Sequence, residues 1–454
     1  MQPLLPDSLP FDAAEAASIL QQLPARQSAV FALFGEPGQE PYIGIAADLR
    51  RRLARLLLAD PAHPRRLQLA ARVRRIDWCL TGSRLEAQFL QFRLLEQAYG
   101  ERALERMHLR SPAFIRFHGS NAYPRLSVVT RLPRDHAEWL YGPFASRAAA
   151  ERYCEEVLKL FLLRRCEENL HPDPSHPGCV YSEMKKCLAP CFQGCSDQRY
   201  AEEAAAVEQF LATSGQSRLH VLSAERDAAS AALEFERAAV LHAAVRQVDS
   251  VHTLAGEMVR PLARLQACLV LPAAQPDAVA LFLFTGGTLR GPELFSTLGM
   301  RIQNEASGSS SLFAQPMLLE PVPEQPTPAR TTSRDALAAR LDAALEHLQQ
   351  AEDASAVRRI GDLALLSRWY HRPAQQRGGE IFFATLPELL EPHPSGDSEG
   401  SAPSPWNRKA ILRGIGRVAA ERLAQRAQAV VEAGQAQEAP TSPGPDDPSH
   451  TAAS

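Results

Sequence analysis

The sequence lacks any apolar run of the roughly 18 residues that a membrane-spanning helix needs. Its first residues, MQPLLPDSLPFDAAEAASIL, have no basic segment ahead of an apolar one, so no secretory signal is expected. Both absences favour a cytoplasmic protein with no membrane partner, whose cysteines are reduced or bind metal rather than form disulfides. Lysine is also scarce, because only four of the 49 basic residues are lysine.

Length and composition predict an α+β multidomain protein. The 454 residues are enough for two to four domains with their own cores, and 35 prolines indicate long connectors. We divide the chain into a small α/β domain (25–100), a segment with clustered cysteines (111–200), a helical hairpin (201–252), a β region (260–300), a linker (301–333), a helical C-terminal region that is mixed α/β in part (334–433) and a disordered tail (434–454).

Local patterns within the first two segments predict individual elements. The stretch SAVFALFGEPGQEP, followed by YIGIA, predicts two strands joined by a turn, and a helix is expected after Asp48. A second helix is expected near 64–72, then a strand at RVRRIDWCL. Ser83 and Glu86 have the spacing of a capping box, which predicts the start of another helix. Further along, YGPF is expected to be a turn and a helix is expected from Ser146.

Positive charge is concentrated in one short region, although the net charge of the chain is −3. Nine arginines and a single aspartate lie between Arg50 and Arg75. Such a local basic patch can bind nucleic acid, and it can equally be a solvated helix face in an arginine-rich protein. The candidate DNA-binding residues are Arg50, Arg51, Arg52, Arg55, Arg65 and Arg66.

Four cysteines lie within 26 residues, at a density that chance does not explain in a chain with eight cysteines. They are Cys166, Cys179, Cys187 and Cys191, in the spacing C-x12-C-x7-C-x3-C. Four thiolates suit either tetrahedral zinc or an iron–sulfur cluster. The spacing is not the paired C-x2-C of a zinc ribbon, which favours the iron–sulfur cluster. Cys195 is expected to be a spare thiol.

Four blocks of sequence, in the same order, resemble the bacterial UvrC family, the nuclease subunit of nucleotide excision repair. The first, AVF…YIG…DLRRRL, is similar to a GIY-YIG nuclease domain. The second runs from YPRLSVVTRL through YGPFASRAAAERYCEEVLKLFLLRRC, and the third is CLAPCFQGCSDQRY. The fourth, LSAERDAASAALEFERAAVLHAAVRQV, resembles the UVR motif. The resemblance covers about residues 25 to 300.

This resemblance implies a cofactor and two partners. The four cysteines would bind a [4Fe-4S] cluster, with Zn²⁺ as the alternative. The UVR-like stretch would form a helical hairpin that binds a UvrB-like protein, with contacts at Leu233, Glu234, Phe235 and Glu236. Helical spacing of apolar residues supports the hairpin independently, although a self-contained helix pair would have the same spacing. DNA is the second partner.

The positions that would carry nuclease chemistry depart from the family pattern. Position by position, they fall on Phe31, Tyr42, Ile45, Arg52, Leu56 and Gln91. Tyr42 and Arg52 keep the family's residue types. Phe31 and Leu56 stand in place of tyrosines, and Ile45 stands where a lysine would offset negative charge on the phosphate. Gln91 replaces the glutamate that would bind the metal, and a neutral amide is a poor sole protein ligand for Mg²⁺.

These departures predict a degenerate nuclease domain, for which Mg²⁺ binding is not expected. The family's second nuclease, an RNase H-like domain, is also expected to be missing, because Asp335, Asp342, Asp353 and Asp362 fall on apparent helices. The leading hypothesis is a UvrC-like repair component that binds DNA and a UvrB-type partner without incising DNA. The alternatives are a divergent endonuclease that makes a single incision, and an iron–sulfur redox sensor on a UvrC scaffold.

Overall fold

Three antiparallel sheets and the helices packed on them form the part of the chain that the computed structural model describes, which is residues 4–58, 67–132, 139–298, 300, 333–350, 354–385 and 405–438. The protein is therefore mixed α/β, as predicted in outline. No helix within these ranges combines the length and the apolar character that crossing a membrane requires.

The N-terminal unit is a four-stranded sheet in the order β1-β4-β2-β3. Its elements are β1 (Asp7–Pro10), α1 (Ala16–Gln22), β2 (Ala29–Phe34), β3 (Tyr42–Ala46), α2 (Leu49–Leu57), β4 (Arg75–Leu80), α3 (Arg84–Tyr99) and α4 (Arg102–Arg106). The hairpin β2–β3, the helix after Asp48 and the strand β4 confirm the sequence predictions. The helix expected near 64–72 is wrong over its described residues 67–72, which form an irregular stretch and a turn.

The start of α3 follows the predicted capping pattern with one difference. Ser83 Oγ accepts a hydrogen bond from the Glu86 N–H at 3.1 Å. The Glu86 carboxylate accepts from the Gly82 N–H at 2.7 Å, one residue before the expected donor. Both bonds satisfy backbone donors that a helix N-terminus would otherwise leave unpaired.

The middle unit is built on a second sheet, which is covered on one face by helices. Its elements are β5 (Ala113–Phe117), β6 (Leu126–Val129), β7 (Leu140–Phe144), α5 (Arg147–Leu160), α6 (Val180–Glu183) and α7 (Asp197–Ala212). The predicted turn at YGPF is wrong, because these residues belong to the buried strand β7. A register shift in the pairing with β5 lies opposite Gly142 and Pro143. Proline is tolerated there because a bulge needs no ladder hydrogen bond from it.

Two long helices follow as a hairpin, α8 (Gln216–Ala231) and α9 (Phe235–Ala255). They pack along each other, and the base of the hairpin contributes Leu222, Val248 and Val251 to the middle core. The connection passes through Leu233, whose φ is +59°. A helical hairpin is therefore present over residues 216–255, with its turn at the LEFE stretch, whereas residues 201–212 of the range predicted for it belong to α7.

The C-terminal unit is a third sheet, in the order β11-β10-β9-β12, packed against helices. Its elements are β8 (Arg260–Pro261), which completes the middle sheet, β9 (Ala267–Pro272), β10 (Ala278–Thr285), β11 (Thr288–Ser296), α10 (Ser333–Gln349), α11 (Ala356–Tyr370), α12 (Ala374–Arg377), β12 (Glu380–Phe383) and α13 (Arg408–Glu438). The expected linker, except Ser333 in α10, lies outside the described residues. The helix α13 extends five residues into the expected tail.

The N-terminal and C-terminal units share one hydrophobic core, and α3 lies in its centre. The rings of Phe89 and Phe282 are 5.4 Å apart at an edge-to-face angle of 80°. Gly361 of α11 lies so close to α3 that a Cβ there would come within 2.1 Å of the Phe92 ring. The N-terminal unit is thus built into a larger body.

Burial gives Glu86 an unusual titration, from which we expect a pH-dependent stability. Desolvation raises the pKa of Glu86 to about 7, while its hydrogen bonds to Gly82 and Ser83 and the charge of Arg422 act in the opposite direction. The folded protein therefore holds this proton more tightly than the unfolded chain. The resulting stability is complete below pH 4.5 and is lost as the pH rises through 7. The loss corresponds to about 3 kcal/mol.

Glu86→Gln keeps an oxygen that can accept from Gly82 and removes the ionisation. We expect the variant to lose this contribution to the pH dependence, and to be more stable than the unaltered protein above pH 7. Urea unfolding midpoints at pH 5 and pH 8 test the expectation. Glu105→Gln, at an exposed position of α4, is the matched control. An equal pH dependence in Glu86→Gln and Glu105→Gln would contradict it.

Candidate functional site

Tyr42 and Arg52, the two predicted positions that keep the family's residue types, contact each other on the N-terminal sheet. Arg52, from α2, donates a hydrogen bond from its guanidinium to the Tyr42 hydroxyl of β3 at 3.2 Å. The Phe31 ring of β2 lies 6.1 Å from the Tyr42 ring. The structure therefore brings three of the six predicted positions together. Arg52 is positioned because Asp48 caps α2 by accepting from the Arg51 N–H.

Two other positions belong to the hydrophobic core beneath this pair. Phe31 and Leu56 are buried together with Leu49 and Leu53 of α2. A tyrosine hydroxyl at either position would have to find a hydrogen-bond partner within this apolar cluster, since an unpaired buried hydroxyl is costly. The substitutions are thus consistent with apolar packing on the α2 side of the sheet.

Ile45 lies on the opposite face of the strand, because side chains alternate along β3. It packs against the core that α3 shares with the C-terminal unit. Gln91 is half-buried on α3, a helix that contacts β3. Neither side chain carries a charge, so the pair supplies no cation for a phosphate and no carboxylate for a metal.

The other carboxylates of α3 are occupied. Glu86 caps the helix start, as described above. Glu96 accepts hydrogen bonds from Ser355 at 2.9 Å and from the Arg358 guanidinium at 3.0 Å. Among the described residues, no group of three His, Cys, Asp or Glu side chains is arranged to hold a metal ion. The donors present on α3 therefore do not fit Mg²⁺, and we derive no step through it.

The C-terminal sheet also carries no acidic site on its first two strands. The sequences of β9 and β10 contain no aspartate or glutamate. Asp335 and Asp342 lie on α10 and Asp362 lies on α11, so the helical placement predicted for them is confirmed. Asp353 lies outside the described residues. Asp342 pairs with Arg408 at 2.6 Å, and Asp362 pairs with Arg93 at 2.8 Å.

The arginine-rich patch is used partly for structure. The Arg50 guanidinium donates to the Leu23 and Gln21 carbonyls, which fastens α1 to α2. Arg52 is held by Tyr42. Arg51 and Arg55 are exposed on α2. Arg65 and Arg66 lie outside the described residues. DNA contact by the patch stays a prediction, and Arg51 and Arg55 are two exposed candidates that could make it.

The cysteine-rich loop connects α5 and α7, and two buried residues, Arg164 and Tyr200, anchor it. Arg164 is buried and donates to the Tyr123, Cys166 and Glu168 carbonyls. Tyr200 donates to the Pro124 carbonyl at 2.8 Å and accepts from the Arg164 N–H at 3.1 Å. No periodic pattern in the sequence predicted these anchors. The only available signal was their position, directly before the first cysteine and shortly after the last.

Cys187 and Cys166 have hydrogen-bond contacts among the predicted ligands. The Ala189 N–H donates to Cys187 Sγ at 3.3 Å, and the Arg164 guanidinium lies 3.5 Å from Cys166 Sγ. Burial is the main cause that raises the pKa of Cys187 to about 11; the Ala189 N–H acts against the rise, and Cys166, Cys179 and Cys191 add to it. The four thiols therefore lie near enough to interact electrostatically. They are not gathered into a ligand group within the described residues.

Cys195 has different neighbours. Its pKa is raised by burial, lowered by Arg199 and raised by Asp197, with no contribution from the other four cysteines. In donor chemistry the four-cysteine set fits a soft metal or an iron–sulfur cluster. The four sulfur atoms would have to move closer together around a bound metal ion or cluster. The ligand assignment stays a prediction.

The turn of the helical hairpin presents large apolar side chains to solvent. Leu233 is 71% exposed and Phe235 is 67% exposed. Glu234 pairs with Arg237 at 3.0 Å on the same turn. Exposed apolar residues in a group, rimmed by charge, are typical of an interaction surface.

Comparisons with known proteins agree with the earlier resemblance. A family model described as the UvrC/Cho excinuclease middle domain matches residues 113–210, a segment that contains all four cysteines and both anchors. The chain is similar to the UvrABC system protein C of Alcanivorax borkumensis, with 27% identity over 50% of this chain and 37% of that protein.

Two further relatives carry the same name. The protein of Hyphomonas neptunium is 28% identical over 52% of this chain and 38% of its own length. The protein of Ectopseudomonas mendocina is 26% identical over 63% and 44%. The chain spans less than half the length of these relatives. No solved structure matches it.

Proposed function

We propose that this chain, which belongs to the UvrC family by its middle domain, acts in nucleotide excision repair by binding DNA and a UvrB-type partner without incising DNA itself. The observation that carries the proposal is the use of the nuclease-like unit for packing. Phe31 and Leu56 are core residues, Ile45 packs half-buried against the core, and the carboxylates of α3 serve as a cap and as an ion-pair partner.

Phosphodiester cleavage needs charges that this unit does not supply. The pentacoordinate phosphate gathers negative charge, which a nuclease offsets with cations and a metal ion. Arg52 can offset part of it, but its guanidinium is hydrogen-bonded to Tyr42. With Ile45 and Gln91 at the remaining positions, we propose that the unit retains the shape of a nuclease and lacks its chemistry.

Binding to a UvrB-type partner is proposed through the hairpin turn. Leu233 and Phe235 are exposed apolar residues, and Glu234 and Glu236 flank Phe235. An apolar anchor bordered by charges fits a complementary helical hairpin, in which the apolar residue gives affinity and the charges give orientation. The DNA contact is proposed through Arg51 and Arg55, with Arg65 and Arg66 as further candidates.

We propose that Cys166, Cys179, Cys187 and Cys191 hold a [4Fe-4S] cluster, with zinc as the alternative. When bound, such a group would tie the loop together and fix the segment between α5 and α7. The chain's own contribution is to anchor the loop through Arg164 and Tyr200 and to donate the Ala189 N–H to Cys187 Sγ.

Anaerobically purified protein tests the cofactor. We expect broad visible absorbance and about four irons per chain, and we expect Cys191→Ser to lose both. Cys195→Ser, which removes the thiol outside the set, is the matched control and should keep them. A colourless protein with stoichiometric zinc would establish the alternative and would also remove the redox-sensor hypothesis.

A nicking assay tests the absence of incision. Damaged duplex DNA is incubated with UvrA, UvrB, Mg²⁺ and this chain, with a full-length UvrC as the positive control. We expect no incision product beyond that of UvrA and UvrB alone. Cutting by the pure chain that disappears in Tyr42→Phe would overturn the proposal in favour of a divergent endonuclease, since Tyr42 and Arg52 are the retained pair.

A further inference from the structure

An open cavity lies at the edge of the middle sheet. Its volume is about 360 Å³, and it is lined by Arg116, Val129, Thr130, Arg131 and Leu132. The strand β6 is the outer strand of this sheet. The cavity is at the small end of the roughly 300–1,000 Å³ that ligand sites occupy, so it can take one nucleotide-sized group.

The strand register explains how cationic and apolar side chains share this cavity. Arg116 pairs with Ser127, and Phe114 pairs with Val129. Arg116 and Val129 therefore lie on the same face of the sheet, two positions apart, because side chains alternate along strands. Val129 and Leu132 also pack against the core that the N-terminal and C-terminal units share. The apolar part of the cavity is thus supported from below.

Positive charge is concentrated in the sequence around the cavity. Between Arg110 and Arg134 the sequence contains five arginines and no aspartate or glutamate. No ion pair joins Arg116 or Arg131 to another residue within the described ranges. The neighbouring His118 reports the same charge, because burial first and then Arg125, Arg116 and Arg164 lower its pKa to about 4.

We propose that this cavity binds one nucleotide of single-stranded DNA, with Arg116 and Arg131 on a phosphate and Val129 and Leu132 against the base. Guanidinium groups suit phosphate because their parallel N–H donors match two of its oxygens. An apolar wall accepts a base face without regard to sequence. A duplex does not expose a base in this way, so a single strand is the favoured form.

This site rests on the proposed DNA binding and adds a contact in a different unit from Arg51 and Arg55. It would let the middle unit hold a strand that has been separated from its complement, while the N-terminal patch contacts duplex. Binding at the proposed site depends both on its positive charge and on the space in its cavity. The test therefore removes the cations in one variant and fills the cavity in another.

The experiment measures binding of the full chain to fluorescein-labelled dT16 and to a 16-bp duplex by anisotropy, over a range of salt. Arg116→Gln/Arg131→Gln should weaken dT16 binding about tenfold at 0.1 M salt. It should also make the plot of log K against log salt shallower by about 0.7, because both arginines contact the same phosphate. Thr130→Trp fills the cavity without changing the charge and should weaken dT16 binding severalfold.

Arg147→Gln/Arg152→Gln is the matched control, because it removes the same charge from exposed positions of α5, the helix on the other face of the sheet. The inference is overturned when Arg116→Gln/Arg131→Gln binds dT16 as this control does, when Thr130→Trp binds normally, or when the unaltered chain binds only duplex. Each of these three outcomes leaves the proposed DNA binding intact. Failure of the unaltered chain to bind either DNA overturns both.

Discussion

Asp362→Ala is expected to lower the free energy of unfolding by about 3–5 kcal/mol, because it leaves a guanidinium buried without its counter-charge. Asp362 is fully buried, and its Oδ2 lies 2.8 Å from the Arg93 guanidinium. The same oxygen accepts the Leu289 N–H at 2.9 Å, and Arg93 donates to the Leu289 carbonyl at 3.0 Å. These bonds join α3, α11 and β11 at one point.

Burial raises the pKa of Asp362, and Arg93 and the Leu289 N–H act against that rise. The pair also leaves Arg93 Nη1 and Asp362 Oδ1 buried without hydrogen-bond partners among the described residues. Removing one partner of such a buried ion pair lowers stability strongly, whereas replacing both partners with apolar residues changes stability little. Arg93→Met/Asp362→Leu is therefore expected to be within about 1.5 kcal/mol of the unaltered protein, or more stable.

Urea unfolding followed through tryptophan fluorescence measures this effect, because one of the four tryptophans, Trp369, is buried on α11 in the same core. Asp342→Ala is the matched control: it removes the partner of Arg408 at a partly exposed position, where about 1 kcal/mol or less is expected. Equal midpoints for Asp362→Ala and Asp342→Ala would contradict the role of the buried pair.

Neither residue of this pair was singled out from the sequence as a partner of the other. Arg93 and Asp362 are separated by 269 positions, and each looks like an ordinary charge on a helical segment. Periodicity reports which face of a helix is apolar, but it does not report which distant element covers that face. The same limit applies to Gly361, whose close approach to Phe92 depends on tertiary packing.

The sequence predicts helix starts and turns more successfully than contacts between distant residues. Ser83 and Ser146 mark helix starts because each side chain accepts from a backbone N–H three residues later. The Gly286–Gly287 turn between β10 and β11 has positive φ at both residues, which a two-residue hairpin turn of this kind requires and glycine adopts readily. The YGPF prediction failed because a register shift, which only the partner strand determines, removes the usual penalty for proline.

The candidate site was predicted in its parts and not in their arrangement. The sequence identified Phe31 and Ile45 as departures from the family pattern and Tyr42 as a position that keeps it. The structure adds that Tyr42 and Ile45 lie on opposite faces of β3 and pack against different cores. The sequence could not predict that the Arg50 guanidinium would donate hydrogen bonds to the carbonyls at the end of α1. Backbone carbonyls accept from any guanidinium in reach, and which one is in reach depends on the fold.

Phe235→Ala is expected to weaken binding of a UvrB-type protein by about 2 kcal/mol or more, which is about 30-fold in Kd. Phe235 is 67% exposed at the start of α9, so it contributes little to the packing of the hairpin itself. Stability is accordingly expected to change by less than about 0.5 kcal/mol. Titration calorimetry with the partner measures the affinity, and thermal unfolding measures the stability.

Leu254→Ala provides the control, since this apolar residue is 37% exposed at the far end of the same helix. Partner binding that falls equally in Phe235→Ala and Leu254→Ala would show that the turn is not the contact. Unchanged binding in Phe235→Ala would remove the proposed anchor altogether.

Leu233 allows stability and binding to be separated within one side chain. Its φ of +59° is a left-handed conformation that costs a bulky residue about 1–2 kcal/mol, and glycine adopts it without that cost. The fold alone would therefore favour glycine at this turn, while the side chain that is present is 71% exposed. Leu233→Gly should leave the hairpin at least as stable and should weaken partner binding. A variant that loses stability while it keeps its affinity would mean that Leu233 serves the turn and not the partner.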